Sequence, residues 1–158
     1  MNNLMHKNSI IAHVRPSDMA VQSNSDHCEG VARLVADFAK DFGWGEVGYT
    51  IGLLHDKGKE QRGFQRYIRK MSGYEDVAGH VEKTPHAFVG ALLAPETYKY
   101  RDFIGMPIAG HHAGLYDYME YDKLKDKNIP ADIDTNNLEI EPIKTGPLPS
   151  SIYWHHLI

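Results

Sequence analysis

Six side chains in this sequence could carry chemistry together: His27, His55, Asp56, His86, His111 and His112. Each lies at the start or end of a segment expected to be helical, or in an adjoining turn, with apolar helix-forming residues beside it. Imidazole nitrogen and carboxylate oxygen are the donors that borderline and hard divalent ions accept. Ten histidines in 158 residues is well above an ordinary share. The densest stretch is GLLHDKGKEQRGFQ, residues 52–65, where the apolar run Gly52-Leu53-Leu54 leads directly into His55-Asp56. Neighbouring residues on a helix point about 100° apart. The pair therefore cannot chelate as two residues one turn apart would, but it can serve two sides of a wide site, with the carboxylate bridging two ions. Lys59 follows His55 by four and Asp56 by three, so it shares their face and could hold the carboxylate or meet a substrate phosphate. Burial of the helix behind them would fix all three heads at the floor of a cleft.

Taken singly, each residue has an ordinary explanation. A lone histidine such as His27 or His86 is more often a hydrogen-bonded core residue than a ligand. His111-His112 alone reads as a surface pair, Asp56 as a helix cap and Lys59 as a solvated charge. The set has a weight that no member has. His6, His13, His155 and His156 have nothing beside them that suggests a site, and His80 reads as loop.

These side chains need elements to position them. Ser25 or Asp26 is the expected N-cap of a helix over about 27–42, with Val31, Leu34, Val35, Phe38 and Phe42 as its apolar stripe. Gly43 and Gly45 end it. A second helix is expected from Glu46 to Asp56 with Val47, Ile51 and Leu54 inward. A third runs from Lys59 to Met71, with Phe64, Tyr67 or Ile68, and Met71 buried. Residues 73–85 read as a loop. Another helix starts near Pro85 or His86 and carries Phe88, Leu92 and Leu93. Pro95 opens a short further segment, and MPIAGHHAGLYD sets His111 and His112 after an apolar run. Residues 1–24 read as an irregular lead-in, and 117–150, rich in Asp, Lys, Asn and Pro, as an extended or mobile polar region. Few alternating patterns and no repeat are present. The fold class is mainly α, a compact helical bundle, with residues 1–158 as one domain.

Composition narrows the classes. Apolar residues make up 42% and charged residues 24%, the values of an ordinary globular protein. A net charge of -4 carries no basic excess of the kind that advertises nucleic-acid binding. One cysteine, Cys28, allows no internal disulfide and fits a reducing compartment. The first residues show no secretory signal, and no apolar stretch is long enough to span a bilayer. The expected setting is the cytoplasm, with no membrane partner.

The ordered string LLHDKGK, GFQRYI, HAFVGALL and IAGHHAGL resembles the HD-type metal nuclease domain of the CRISPR-associated type I interference helicase-nuclease family. The likeness runs from His27 to about Leu115. The resemblance implies a helical bundle of the HD type, with His27, His55 and Asp56 as early metal ligands, Lys59 as the site lysine, and His86, His111 and His112 as later ligands. It implies up to two divalent ions, a transition metal such as Mn, Ni, Fe or Co, or Mg. It further implies cleavage of single-stranded DNA, a helicase domain (fused or separate) and an RNA-guided surveillance complex as partners. Two features depart from that pattern. A further metal-binding aspartate in a downstream helix has no counterpart before Ile158, and no Gly-x-x-x-x-Gly-Lys-Ser/Thr stretch supplies a helicase motor. Both absences fit a front piece of a longer protein or a chain cut short.

Three functions follow for comparison. The first is a two-ion nuclease, with Asp56 bridging, Lys59 offsetting charge in the transition state, and Lys57, Arg62, Arg66 and Lys83 near the strand. The second is an HD phosphohydrolase acting on small nucleotides. The third is a catalytically incomplete module that binds metal or a partner.

Overall fold

The computed structural model describes residues 9–94, 101–136, 138 and 140. Among these residues, two short strands, β1 (Ile11–Val14) and β2 (Val21–Ser23), form an antiparallel hairpin that leads into six helices. These are α1 (Asn24–Ala39), α2 (Gly45–Leu54), α3 (Arg62–Met71), α4 (Ala87–Leu92), α5 (Arg101–Gly110) and α6 (Tyr118–Lys125). Single turns of 3₁₀ helix at Lys40–Phe42 and Lys57–Glu60 join α1 to α2 and α2 to α3. The mainly helical class expected from the sequence is what the chain adopts.

Helix α1 starts earlier than its spacing suggests. Ser23, not Ser25 or Asp26, is the N-cap, and its Oγ accepts from the Asp26 amide at 3.1 Å. His27 thus falls in the first turns of a helix whose start is pinned. The apolar stripe expected to be buried on α1 is only partly packed, with Val31 and Val35 half-buried. Leu34, Phe38 and Phe42 are 53, 67 and 70% exposed, whereas Asn24, Cys28 and Ala32 are buried. The reason is the neighbour. Gly52 of α2 lies so close to α1 that a Cβ there would collide with the Ala32 backbone. Small residues let the two helices approach, and that contact selects the face of α1 turned inward.

The main core lies between α2, α4, α5 and α6. Leu54, Val89, Ala91, Leu93, Ile104, Ile108 and Tyr121 are its buried members, with Val47, Ile51 and Phe88 packed against them. Met71 is 64% exposed; the third helix buries Phe64 and Gln65, with Tyr67 and Ile68 half-buried. Part of the polar region 117–150 is helical: Asp117 caps α6 by accepting from the Glu120 amide at 2.8 Å, and Tyr121 is fully buried in the core. Residues 141–150 lie outside the described residues, as do His6, His155 and His156.

The hairpin, read from sequence as irregular lead-in, is tied to the bundle. Gln65 of α3 accepts from Ile11 N at 2.8 Å and donates to Ile11 O at 2.9 Å and to Lys59 O at 2.7 Å. The ladder pairs Ile11 with Ser23 and His13 with Gln22, so Ala12 is an extra residue on β1. Such a bulge re-aims the side chain beside it. Here Ile11 is buried under the hairpin and His13 faces the site.

Candidate metal centre

Asp56 sits at the end of the buried run of α2, where the helix passes into the 3₁₀ turn Lys57–Glu60. It is 3% exposed. Asn24 donates to its backbone carbonyl at 3.2 Å, which fixes the turn against α1. The next residues approach α4 closely: Gly58 lies against the His86 carbonyl, and any Cβ there would collide with it. Gln61 donates to the carbonyls of Gly58 and Pro85, at 2.8 and 3.1 Å, and closes the same junction.

The carboxylate of Asp56 divides the site into two halves. Its Oδ2 faces His27 Nε2 at 3.0 Å, His55 Nε2 at 3.2 Å and Lys59 Nζ at 2.8 Å. Its Oδ1 faces His86 Nε2 at 3.3 Å and His111 Nε2 at 3.4 Å. His112 joins the second half through His86, with the two Nε2 atoms 2.9 Å apart. His27 and His55 Nε2 are 3.2 Å apart in the first. All six residues singled out from the sequence, with Lys59, therefore meet at one place. They come from α1, the α2 terminus, the start of α4 and the end of α5.

Tautomers can be read at two positions. His55 Nδ1 lies 2.6 Å from Gly52 O, and His111 Nδ1 lies 2.7 Å from Ile108 O. A carbonyl only accepts, so both Nδ1 atoms carry hydrogen and, in the neutral ring, both Nε2 atoms present lone pairs to the carboxylate. Lone pairs facing a carboxylate oxygen repel unless a cation lies between them. Asp56 Oδ1 is buried with no hydrogen-bond partner, although two imidazole nitrogens lie within 3.4 Å. Donor atoms about 3 Å apart, with far ring nitrogens tied to backbone carbonyls, are the arrangement of metal-binding histidines. The donor set fits divalent ions.

Charge in the site is coupled. Burial pushes the Asp56 carboxyl up, but in the metal-free site hydrogen bonds from His111, His55 and His86, wherever their Nε2 atoms carry a proton, and from Lys59 outweigh it and hold the group far below the usual carboxylate range. Burial lowers His27 and His112, with neighbouring imidazoles adding to the effect in each. Burial also lowers His111, but the Asp56 carboxylate reverses it and leaves that ring raised. Cys28, beneath the site, is pushed up to about 11 by burial and is no ready nucleophile.

Lys59 is not a solvated charge. It is 4% exposed, and besides Asp56 it meets Ala12 O and His13 Nε2, both at 3.3 Å. An ammonium has three N–H donors. All three are directed inside the protein.

His13 is the residue that sequence reasoning missed. Its ring stacks edge-on against His27, with centroids 4.7 Å apart. Nothing beside it in the sequence marks a site, because the Ala12 bulge that aims it is a property of strand pairing. Asn24, Gln61 and Gln65 were also unmarked, and they act through backbone groups around the centre.

A family model for the HD domain matches residues 24–137. The chain belongs to the HD-domain family. The HD match includes every residue of the cluster except His13. Family membership implies a metal-dependent phosphohydrolase, and the His/Asp cluster of this HD domain can hold a metal. The match speaks for the HD domain and not for the narrower helicase-nuclease branch. No curated protein shows a match to this sequence. Among the described residues, no helix of the HD domain is long and apolar enough to cross a membrane.

A cleft of about 670 Å³ opens beside the centre. His13, Lys59, His86 and His112 lie on its metal side, and Phe64, Tyr67, Phe88, Tyr116, Lys83 and Lys127 line the rest. Of the cations expected near a strand, Lys83 is in this cleft. Lys57 instead pairs with Glu60 at 2.7 Å and lines a separate recess with Asn24 and Cys28. Arg66 donates to Ala78 O at 3.1 Å. Lys127, unmarked in the sequence, lies over the Phe88 ring at 4.6 Å.

Proposed function

We propose that this HD domain is a metal-dependent phosphodiesterase that cuts single-stranded DNA in CRISPR interference. A helicase domain, fused or separate, and an RNA-guided surveillance complex would be its partners. The observation that carries the hydrolase chemistry is the division of Asp56: each carboxylate oxygen faces its own group of imidazoles. His27, His55 and Oδ2 would hold one divalent ion, and His86, His111, His112 and Oδ1 a second. Mn, Ni, Fe, Co or Mg would supply Lewis acidity to the scissile phosphate and a nucleophile at neutral pH.

The residues of the chain have distinct tasks. Asp56 supplies one negative charge to both halves and sets their separation. Lys59 acts on Asp56 rather than on a phosphate, because its donors are engaged within the protein, so it is a positioning residue. The carbonyls of Gly52 and Ile108 hold His55 and His111 in the ligating tautomer.

A single strand as substrate is supported by the cleft lining. Aromatic faces at Phe64, Tyr67, Phe88 and Tyr116 suit stacking by unpaired bases of any sequence. Lys83 and Lys127 place positive charge where a phosphate backbone would pass. The test is cleavage of a single-stranded oligonucleotide by chelator-treated protein resupplied with each divalent ion. Cleavage should return with metal and disappear in His55→Ala. Cleavage without metal would rule the proposal out. Turnover of mononucleotides alone would move the substrate to small nucleotides, and bound metal without cleavage of either would leave a binding module.

A further inference from the structure

Among the described residues, the two halves of the centre are unequal in donors. On the Oδ1 side stand one carboxylate oxygen and three imidazoles, those of His86, His111 and His112. On the Oδ2 side the residues of the helical bundle supply one carboxylate oxygen and two imidazoles, those of His27 and His55. The hairpin brings a third to this side. We infer that His13, delivered by the bulge in β1, is a metal ligand and the fourth donor of the Oδ2 half. This rests on the reading of the centre as a two-ion site.

Three observations carry it. First, His13, His27 and Asp56 each offer a donor atom within 4.8 Å of the others. Donors on opposite sides of an ion at ordinary bond lengths are about 4.2 Å apart, so a small side-chain adjustment suffices. Second, Lys59 approaches His13 at Nε2, 3.3 Å away. An ammonium can only donate, so that nitrogen is the unprotonated one and its lone pair is directed into the centre. Third, β1 is held in place rather than hung from the chain end. Gln65 grips both backbone groups of Ile11, Lys59 meets Ala12 O, and Asn24 N donates to Ile10 O at 2.8 Å. A side chain on such a fixed strand is preorganised for ligation. Ligation by His13 would replace its contact with Lys59, which keeps Asp56 and Ala12 O.

The probes are Zn²⁺ and Co²⁺ on the whole chain. In zinc-loaded wild-type protein, the His13 Nε2 nitrogen resonance should move from the unprotonated to the metal-bound range. In a Co²⁺ titration, wild type should take up two ions. His13→Ala should take up one, or bind the second at least about tenfold more weakly. His80→Ala, at a side chain 85% exposed, should keep both. An unmoved His13 resonance, or two ions held by His13→Ala with wild-type affinity, would overturn the inference and leave the two-ion reading standing. A wild-type chain that binds no ion would overturn both. Should His13→Ala not fold, the wild-type resonance decides.

Discussion

Lys59 Nζ lies 2.8 Å from Asp56 Oδ2, and the two side chains are only 5 and 4% exposed. A buried pair of this kind is costly to break, because either partner alone is an uncompensated charge. Here the pair stands at the junction of four imidazoles, so its loss would reach stability and metal chemistry together.

Replacing Lys59 with Met should therefore destabilise the metal-free protein by about 3–5 kcal/mol. Urea denaturation measures this. Part of the loss should return on adding Zn²⁺, since a cation bound at Oδ2 again neutralises Asp56. A variant as stable as wild type without metal would show that Lys59 contributes nothing to holding the carboxylate.

Asp56→Asn keeps the size of the side chain and removes its charge. Hydrolysis of a phosphodiester should fall by about 10²–10³-fold or more, the scale seen when one charge-stabilising group is lost from an active site. Metal content should fall in both halves. Loss of one ion with the other intact would mean that the carboxylate serves a single half.

Gly58→Ala tests the α4 junction. The added Cβ meets the His86 carbonyl, which is backbone and cannot swing away. Overpacking of this kind costs about 1–3 kcal/mol. Because the shift falls on His86, uptake of the Oδ1-side ion should weaken more than that of the other. Calorimetric metal titration separates the two events, and equal weakening would count against this division of the site.

Acid should destabilise the metal-free chain in two stages. His13, His27 and His112 have folded pKa values below the ordinary 6.5, so the unfolded chain binds protons first as pH falls. Their contribution is present above about pH 6.5 and declines below it. His111 is raised and acts oppositely, its contribution being present below 6.5 and lost as pH rises through its folded value. Three against one, the net fall should be visible between pH 7 and 5. Asp56, held low, adds a further loss only as pH drops below about 4. Denaturation midpoints across this range give the profile, and a midpoint unchanged from pH 7 to 5 would contradict it.

The sequence by itself determined the chemistry of this HD domain. Residue type says what can ligate a cation. The three-residue spacing from Asp56 to Lys59 follows from helical period, and the apolar Leu53-Leu54 run forecast that the ionisable heads after it would be buried. Positions of α1 to α4 were legible for the same reason, since period and caps are local properties, whereas α6 lies in a stretch that reads as extended or mobile. Tertiary structure alone decided which surfaces meet. Leu34, Phe38 and Phe42 have the spacing of a buried stripe, yet α1 turns Cys28 and Ala32 inward, because the absent side chain of Gly52 lets the backbones approach there. His13 looked ordinary because its aim comes from an extra residue in a strand pairing and from a lysine 46 positions away. Contacts between residues distant in the chain depend on shape and close packing summed over the whole fold, and no single stretch of sequence contains that sum.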